Sequence, residues 1–367
     1  METKLRIIKI AKNIIADWFS FENYPVEQYP SGPPFGGPWR KTNKGWSDVQ
    51  NKKHNHTQEV KKTSLTEELA EAIKTQTPEI IRTPYDEGVE SSVNDVYFLK
   101  YGDKKTVFKP TTTIDQDTRD TLTLGVVPSS KREVMSFEIS EKLGLNVVPP
   151  TFFTKHTVPS LSDDWMSLDL EDKEKDGSEQ SFVEGETWMQ YCLREGQDKV
   201  RETLKDETVQ KNLGMLAITD YLIGNSDRHM SNFIINDKKQ LFGIDNGLSF
   251  APNGETNLEG NGEFRSLPLD ILYRMYEDYD PDFSVSQMRF EDYNTSEFLT
   301  DYEMMTKLEI LKDANGIHAE VADFFKNIDY DKAEKNISDI MNHYGMDEKS
   351  SQSTISRLRD IQWLFND

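Results

Sequence analysis

The spacing of Asp227, Asn232 and Asp245 within one short stretch limits the folds that this chain can adopt. The segment 220–250, DYLIGNSDRHMSNFIINDKKQLFGIDNGLSF, contains the end of an apolar helix, a polar loop and two short apolar runs around the turn residues DKK. Apolar runs on either side of a polar turn predict a β-hairpin. Folding that hairpin would bring Asp227, Asn232 and Asp245 to one end of the strand pair.

Those three side chains supply two carboxylates and an amide oxygen. Mg²⁺ is a hard cation that takes oxygen ligands and keeps several of its waters. The hairpin therefore predicts a divalent-cation site whose ligands come from this set.

The acidic composition excludes several kinds of partner. Lys and Arg total 43 against 65 Asp and Glu, which gives a formal net charge of −22. A surface of that sign repels phosphate backbones, so we expect no general nucleic-acid binding. The sequence has one cysteine, Cys192, and no run of about 18 apolar residues. These features predict a cytoplasmic protein without a disulfide framework or a transmembrane helix.

Composition divides the chain into three regions, of which the first is an N-terminal arm at 1–85. An amphipathic helix is predicted at its start, and a stretch rich in Pro, Gly and aromatic residues follows at 24–46. Pro and Gly at that density exclude a regular element. The aromatic residues favour an arm that lies on a partner protein or on its own domain, with a flexible tail as the alternative.

Residues 86–183 are predicted to form a small, strand-rich lobe. Apolar runs at 93–99 and 106–109 flank a polar turn, and the pattern predicts a helix over 131–143. The acidic insert 162–176 is predicted to be a solvated loop.

Residues 184–367 are predicted to be mainly helical, apart from the hairpin. Amphipathic patterns predict helices at 265–276, 296–313, 317–326, 330–344 and 352–365. A strand-rich lobe followed by a larger helical lobe is an α+β arrangement.

The DRHMSN string, with Asp245 in a DNG triplet after the hairpin, resembles the catalytic and metal-binding loops of the protein-kinase-like superfamily. In kinases an Asn follows the catalytic Asp by five residues, which is the spacing of Asp227 and Asn232. The D-R-H order is similar to the phosphatidylinositol 3-/4-kinase and HipA-like branches. Residues 131–151, KREVMSFEISEKLGLNVVPPT, resemble a further pattern of this superfamily. The resemblance implies a two-lobed protein-kinase-like fold with an N-terminal extension.

The resemblance also implies roles for the residues of the hairpin region. Asp227 would be the catalytic base, with Arg228 beside it in a supporting role. Asn232 and Asp245 would hold Mg²⁺.

Other implied residues would bind ATP. Lys109 would contact the phosphates and pair with Glu133, with Glu138 as the alternative partner. The remaining implied contacts are Ser91 and Ser92 in a phosphate-covering loop, and Ser181, Phe182 and Val183 in the hinge that holds adenine.

The resemblance favours phosphoryl transfer from ATP to a protein Ser or Thr, as in a HipA-like kinase. Lipid kinases place a basic loop after the metal-binding Asp, whereas residues 247–270 contain one basic residue, Arg265. A phosphoinositide or other lipid kinase is one alternative. The other is a non-catalytic pseudokinase that serves as an interaction protein. The single glycine of the implied phosphate loop, Gly88, favours the pseudokinase, and the complete set of catalytic residues opposes it.

Overall fold

A computed structural model describes residues 61–83, 95–111, 127–161, 169–251, 264–276 and 299–366, all within one compact unit. The helix and the Pro/Gly/aromatic stretch predicted for the arm lie outside the described residues.

Two lobes follow one another along the chain. The small lobe contains helices α1 (Lys61–Thr75) and α2 (Ser129–Leu143) and strands β1 (Glu79–Arg82), β2 (Tyr97–Tyr101), β3 (Lys104–Pro110), β4 (Thr151–Leu161) and β5 (Leu170–Ser181). The large lobe contains helices α3 (Trp188–Glu195), α4 (Gln197–Leu204), α5 (Glu207–Ile223), α6 (Leu267–Tyr276), α7 (Asp301–Asp313), α8 (Ala319–Lys326), α9 (Tyr330–Tyr344) and α10 (Glu348–Asn366). Its strands are β6 (Glu186–Thr187), β7 (Phe233–Ile235) and β8 (Leu241–Gly243). The predicted α+β, two-lobed class is confirmed.

The small lobe is built on an antiparallel sheet in the order β1-β2-β3-β5-β4. Side chains alternate between the two faces of a strand, so β3 separates Phe108 from Lys109. Phe108 packs with Tyr97 and Val158 on the face that α1 covers through Ala72. Lys109 projects from the opposite face, towards helix α2.

Strands β3 and β5 approach each other closely at Gly177. This residue pairs with Pro110, and a Cβ atom at position 177 would lie 2.2 Å from the backbone oxygen of Lys109. A side chain would therefore push the strands apart, so glycine here fixes where the backbone of Lys109 lies.

The prediction of a solvated loop at 162–176 is wrong for the second half of that segment. Residues from Leu170 onward form β5, which pairs with β4 as far as Leu161. Charges on this exposed hairpin meet across the strands: Lys155 Nζ lies 3.0 Å from a Glu174 oxygen and 3.4 Å from an Asp176 oxygen. Cross-strand pairs of opposite charge stabilise a sheet, so an acidic stretch can be a strand.

Helix α2 confirms the helix predicted at 131–143, and it ends at Gly144, whose φ of 77° is left-handed. Strands β2 and β3 form the predicted hairpin, although the ends of the strands differ from the predicted ones. The five helices predicted in the large lobe are confirmed as α6 to α10, also with shifted ends. Among the described helices, none has both the length and the apolar character needed to cross a bilayer.

The large lobe packs around α5. Every residue of this helix from Leu213 to Ile223 is buried, and most of them are apolar, as in a helix enclosed by the core. It ends at Gly224, which has a left-handed φ of 57°. The chain then turns back into the loop that carries Asp227.

Candidate active site

The face of the sheet opposite α1 holds an ion-paired lysine. Lys109 Nζ lies 2.9 Å from Glu133 Oε1 on α2 and 3.2 Å from Asp245 Oδ1 in the large lobe. Burial by itself would lower the pKa of Lys109, but the carboxylates of Asp245 and Glu133 raise it, so the ammonium stays charged. The structure thus brings together Lys109, Glu133 and Asp245, three of the residues that sequence analysis assigned to phosphate and metal binding.

Glu138, the alternative partner of Lys109, lies elsewhere. Its Oε1 accepts a hydrogen bond from Tyr344 Oη at 2.7 Å. Glu133 is therefore the α2 glutamate that pairs with the lysine.

The loop after α5 places Asp227 against Asn232. Asn232 Nδ2 donates to the backbone oxygen of Asp227 at 2.8 Å and to Asp227 Oδ2 at 3.3 Å. Because the amide nitrogen is used in this way, Oδ1 is the Asn232 atom suited to a cation. The five-residue spacing seen in the sequence thus corresponds to direct contact.

The carboxyl group of Asp227 is partly buried, and its pKa is raised to about 6. Burial is the main cause and the negative charge of Asp245 adds to it, while Arg265, Arg228 and the bond from Asn232 oppose the shift. A carboxylate with a pKa near neutrality is suited to accepting a proton.

His229 follows in the same loop and is not suited to that role. Burial and the charge of Arg265 lower its pKa to about 4. Its Nδ1 accepts a hydrogen bond from the backbone N–H of Ser231 at 3.2 Å, so the neutral ring carries its proton on Nε2. That nitrogen lies 3.8 Å from Asp227 Oδ2, which is beyond hydrogen-bond distance.

Arg228, predicted to have a supporting role beside Asp227, contacts the backbone of the same loop. Its side chain is fully buried and cannot reach a substrate. Nε donates to Asp220 Oδ1 at 3.0 Å, and Nη1 donates to the backbone oxygens of Asn232 and Ile244. Ser266 Oγ donates to the second Asp220 oxygen at 2.8 Å. Arg228 therefore positions the loop instead of acting on substrate.

Asp245 lies two residues after β8. Its side chain is 44% exposed, and its φ of 57° is left-handed, which is uncommon for a residue with a side chain. Lys109 lowers the pKa of its carboxyl group. Asp245 and Asn232 Oδ1 offer oxygen donors only, and this donor set fits Mg²⁺ with bound waters.

The predicted hinge residues lie at the end of β5 and directly after it, and two of their N–H donors are engaged. The N–H of Ser181 donates to Pro150 O at 2.7 Å, and that of Phe182 donates to Lys105 O at 2.9 Å. An adenine held here cannot take its bond from those two N–H groups. The other predicted phosphate contacts, Ser91 and Ser92, lie outside the described residues.

Sequence analysis missed two polar residues that join the parts of this site. Asn246 is buried beside Arg228, and Arg132 on α2 donates through Nε to Val127 O at 3.0 Å and through Nη1 to Ser249 O. In the sequence, Arg132 could have been found through its position next to Glu133, and Asn246 through its position inside the DNG triplet.

A cavity of about 690 Å³ lies away from this cleft, between the loop at 144–147, helix α5 and helix α8. It is lined by residues such as Leu145, Met215 and Phe324, and not by Asp227 or Asp245. The predicted site lies elsewhere, where Lys109 of the small lobe meets Asp245 of the large lobe.

Comparison with known proteins gives a family and a set of similar structures. The family described as phosphatidylinositol 3- and 4-kinase matches residues 90–302. A Golgi casein kinase structure is similar at 15% identity, over 84% of this chain and 75% of that chain, with a TM-score of 0.41. The structure of hydra Fam20 with sugar is similar at 12% identity, over 83% and 89% of the two chains, with a TM-score of 0.42. No curated protein sequence matches the chain significantly.

Proposed function

This chain belongs to the phosphatidylinositol 3- and 4-kinase family, and from that premise we propose an ATP- and Mg²⁺-dependent phosphotransferase that acts on a protein hydroxyl group. One observation carries the proposal. The Lys109–Glu133 ion pair of the small lobe and Asp227 and Asn232 of the large lobe face one cleft, with Asp245 between them.

Phosphoryl transfer depends mainly on positioning and on neutralising charge. Lys109, held by Glu133, is placed to bind the phosphates of ATP. Asn232 Oδ1 and Asp245 would hold Mg²⁺, which offsets charge on the phosphate oxygens when bound.

Asp227 would orient the acceptor hydroxyl. The hydroxyl oxygen forms a bond to the γ-phosphorus while the bond from that phosphorus to the β–γ bridging oxygen breaks. The hydroxyl proton passes to a carboxylate oxygen of Asp227, and ADP leaves with the electron pair of the broken bond.

The choice of a protein acceptor, of the HipA-like kind, rests on charge. Residues 247–270 contain one basic residue, Arg265, and the whole chain carries a net charge of −22. Such a surface disfavours approach to an anionic membrane. The family match favours the second candidate, a phosphoinositide acceptor, and both are tested together below.

The test is transfer from γ-labelled ATP in the presence of Mg²⁺, with the chain itself and phosphoinositide vesicles as separate acceptors. Wild type is compared with Asp227→Ala and with Asp237→Ala, which removes an exposed carboxylate in the turn between β7 and β8. We expect label on protein for wild type and Asp237→Ala, and a loss of about 10² to 10⁴-fold for Asp227→Ala. Label on the vesicles alone would show that the acceptor is a lipid and not a protein.

Nucleotide binding separates the catalytic proposal from the pseudokinase alternative. A ligand that binds only the folded state raises the melting temperature, by an amount equivalent to about 2.7 kcal/mol at a hundredfold excess over Kd. Stabilisation by Mg²⁺-ATP without transfer to any acceptor would favour the pseudokinase. Equal transfer by wild type and Asp227→Ala would refute the assigned base.

A further inference from the structure

The middle residue of the DNG triplet, Asn246, has no role in the chemistry described so far. It follows Asp245 and is fully buried. Its Oδ1 accepts hydrogen bonds from Arg228 Nη2 and, at 3.4 Å, from Asn225 Nδ2. Both donors belong to the catalytic loop, one directly after Asp227 and one two residues before it. The side chain therefore ties the metal-binding loop to the loop of the base.

The backbone of Asp245 needs such support. A residue with a side chain is disfavoured at a φ of 57° and persists there only when its surroundings hold it. On one side, the Ile244 N–H donates to Asn232 O at 2.9 Å, and Ile244 O accepts from Arg228 Nη1. On the other side, Asn246 is bonded to the same guanidinium. Both neighbours of Asp245 are thus anchored to Arg228.

We propose that Asn246 is a positioning residue that holds the carboxylate of Asp245 at a fixed place relative to Asp227, through the side chain of Arg228. This inference rests on the proposed function, since it assigns Asp245 to the metal. It adds that the affinity for Mg²⁺ depends on a buried residue that touches neither metal nor substrate.

The two polar atoms of Asn246 are used unequally. Oδ1 has two donors, while Nδ2 is buried with no hydrogen-bond partner among the described residues. The residue thus contributes an acceptor. A carboxylate of the same shape keeps that acceptor beside the Arg228 charge, whereas an apolar side chain leaves a buried guanidinium nitrogen and Asn225 Nδ2 without a partner.

Two substitutions with the same branched shape follow from this difference. Asn246→Asp keeps the oxygen, and Asn246→Leu removes it. The matched control is Ser249→Ala, three residues along the same segment. The Ser249 hydroxyl is buried and has no hydrogen-bond partner among the described residues, and the backbone oxygen that Arg132 uses is unchanged.

The experiment measures the affinity of each full-length variant for a fluorescent ATP analogue as a function of Mg²⁺ concentration. For Asn246→Leu we expect the Mg²⁺ concentration at half-effect to rise at least about tenfold, while affinity without metal stays within about twofold of wild type. Asn246→Asp should stay within about threefold, and Ser249→Ala should match wild type. A residue that only fills space would lower the melting temperature and leave the Mg²⁺ dependence unchanged.

Three results would overturn the assignment. The first is an unchanged Mg²⁺ dependence in Asn246→Leu, and the second is an equal shift in Asn246→Asp. The third is the absence of Mg²⁺-dependent binding in wild type, which would overturn the proposed function as well. If Asn246→Leu lacks a native circular dichroism spectrum, Asn246→Ala takes its place with the same criteria.

Discussion

The hydroxyl of Tyr344 donates a hydrogen bond of 2.7 Å to Glu138 Oε1, which joins helix α9 of the large lobe to helix α2 of the small lobe. The same helix α2 carries Glu133, the partner of Lys109. Arg132 fixes α2 a second time, through the backbone oxygen of Ser249. Two contacts with the large lobe thus hold the helix where its glutamate meets the lysine.

Replacing Tyr344 with Phe should remove one of these contacts without unpairing Lys109. We expect a loss of about 1 kcal/mol in the free energy of unfolding, because one hydrogen bond is removed and the ring still packs. Urea denaturation measures this loss. The control is Tyr302→Phe, since the Tyr302 side chain is 79% exposed. A loss of nucleotide binding in Tyr344→Phe would contradict the view that Arg132 and Lys109 suffice to hold α2.

The pH dependence of transfer should report Asp227. The base must be deprotonated to accept the hydroxyl proton, and its pKa is raised to about 6 by burial and by the charge of Asp245. The rate should therefore be constant above this pH and fall about tenfold per unit below it. Mg²⁺ at Asp245 offsets the second cause, so the pH at half-maximal kcat/KM should move down as the metal concentration rises. A rate that falls above neutrality instead would contradict the role of Asp227.

How far the sequence predicted this site depends on whether a residue acts through local spacing or through packing. The contact between Asp227 and Asn232 follows from a five-residue spacing within one loop. The pairing of Lys109 with Glu133 required the order of elements implied by the resemblance. Position in the sequence did not separate Glu133 from Glu138, since both lie on α2, and the helix orientation in the folded chain decides between them.

Other features depended on the whole fold. The mostly charged residues from 170 to 176 have the composition of a loop, and they form a strand because β4 pairs with them along its length, with Lys155 meeting Glu174 and Asp176. Arg228 was predicted to support the catalytic loop, but its full burial depends on Asp220, eight residues earlier, which neutralises its charge. A local sequence pattern does not reveal which residues will become such partners in the folded chain.

Asp245→Asn should remove most of the Mg²⁺-dependent part of the affinity for ATP. The substitution takes away a charged oxygen ligand, and Mg²⁺ prefers carboxylate oxygen to a neutral amide. Lys109 keeps its bond to Glu133, so affinity without metal should change little. Calorimetric titration of ATP with and without Mg²⁺ measures the difference. Asp237→Asn, in the exposed turn of the same hairpin, serves as the control. Equal Mg²⁺ dependence in both variants would exclude Asp245 as a ligand.

The last helix, α10, anchors the segments around the catalytic loop through a buried arginine. Arg357 Nε donates to Asp301 Oδ1 at 2.7 Å, and Nη2 donates to Ala251 O at 2.8 Å. The guanidinium also lies over the ring of Phe264, 4.5 Å from its centre. These contacts join α10 to both ends of the stretch between Ala251 and Phe264 and to the start of α7.

Replacing Arg357 with Leu should destabilise the fold more than any surface change on the same helix. Removing one member of a buried ion pair costs about 3 to 5 kcal/mol, because the other charge loses its partner, and Asp301 is mostly buried. Arg359→Leu is the matched control: that side chain is 63% exposed and pairs with Glu334, so we expect about 1 kcal/mol or less. Urea denaturation compares the two. Similar losses would mean that Asp301 is stabilised by its surroundings without the arginine.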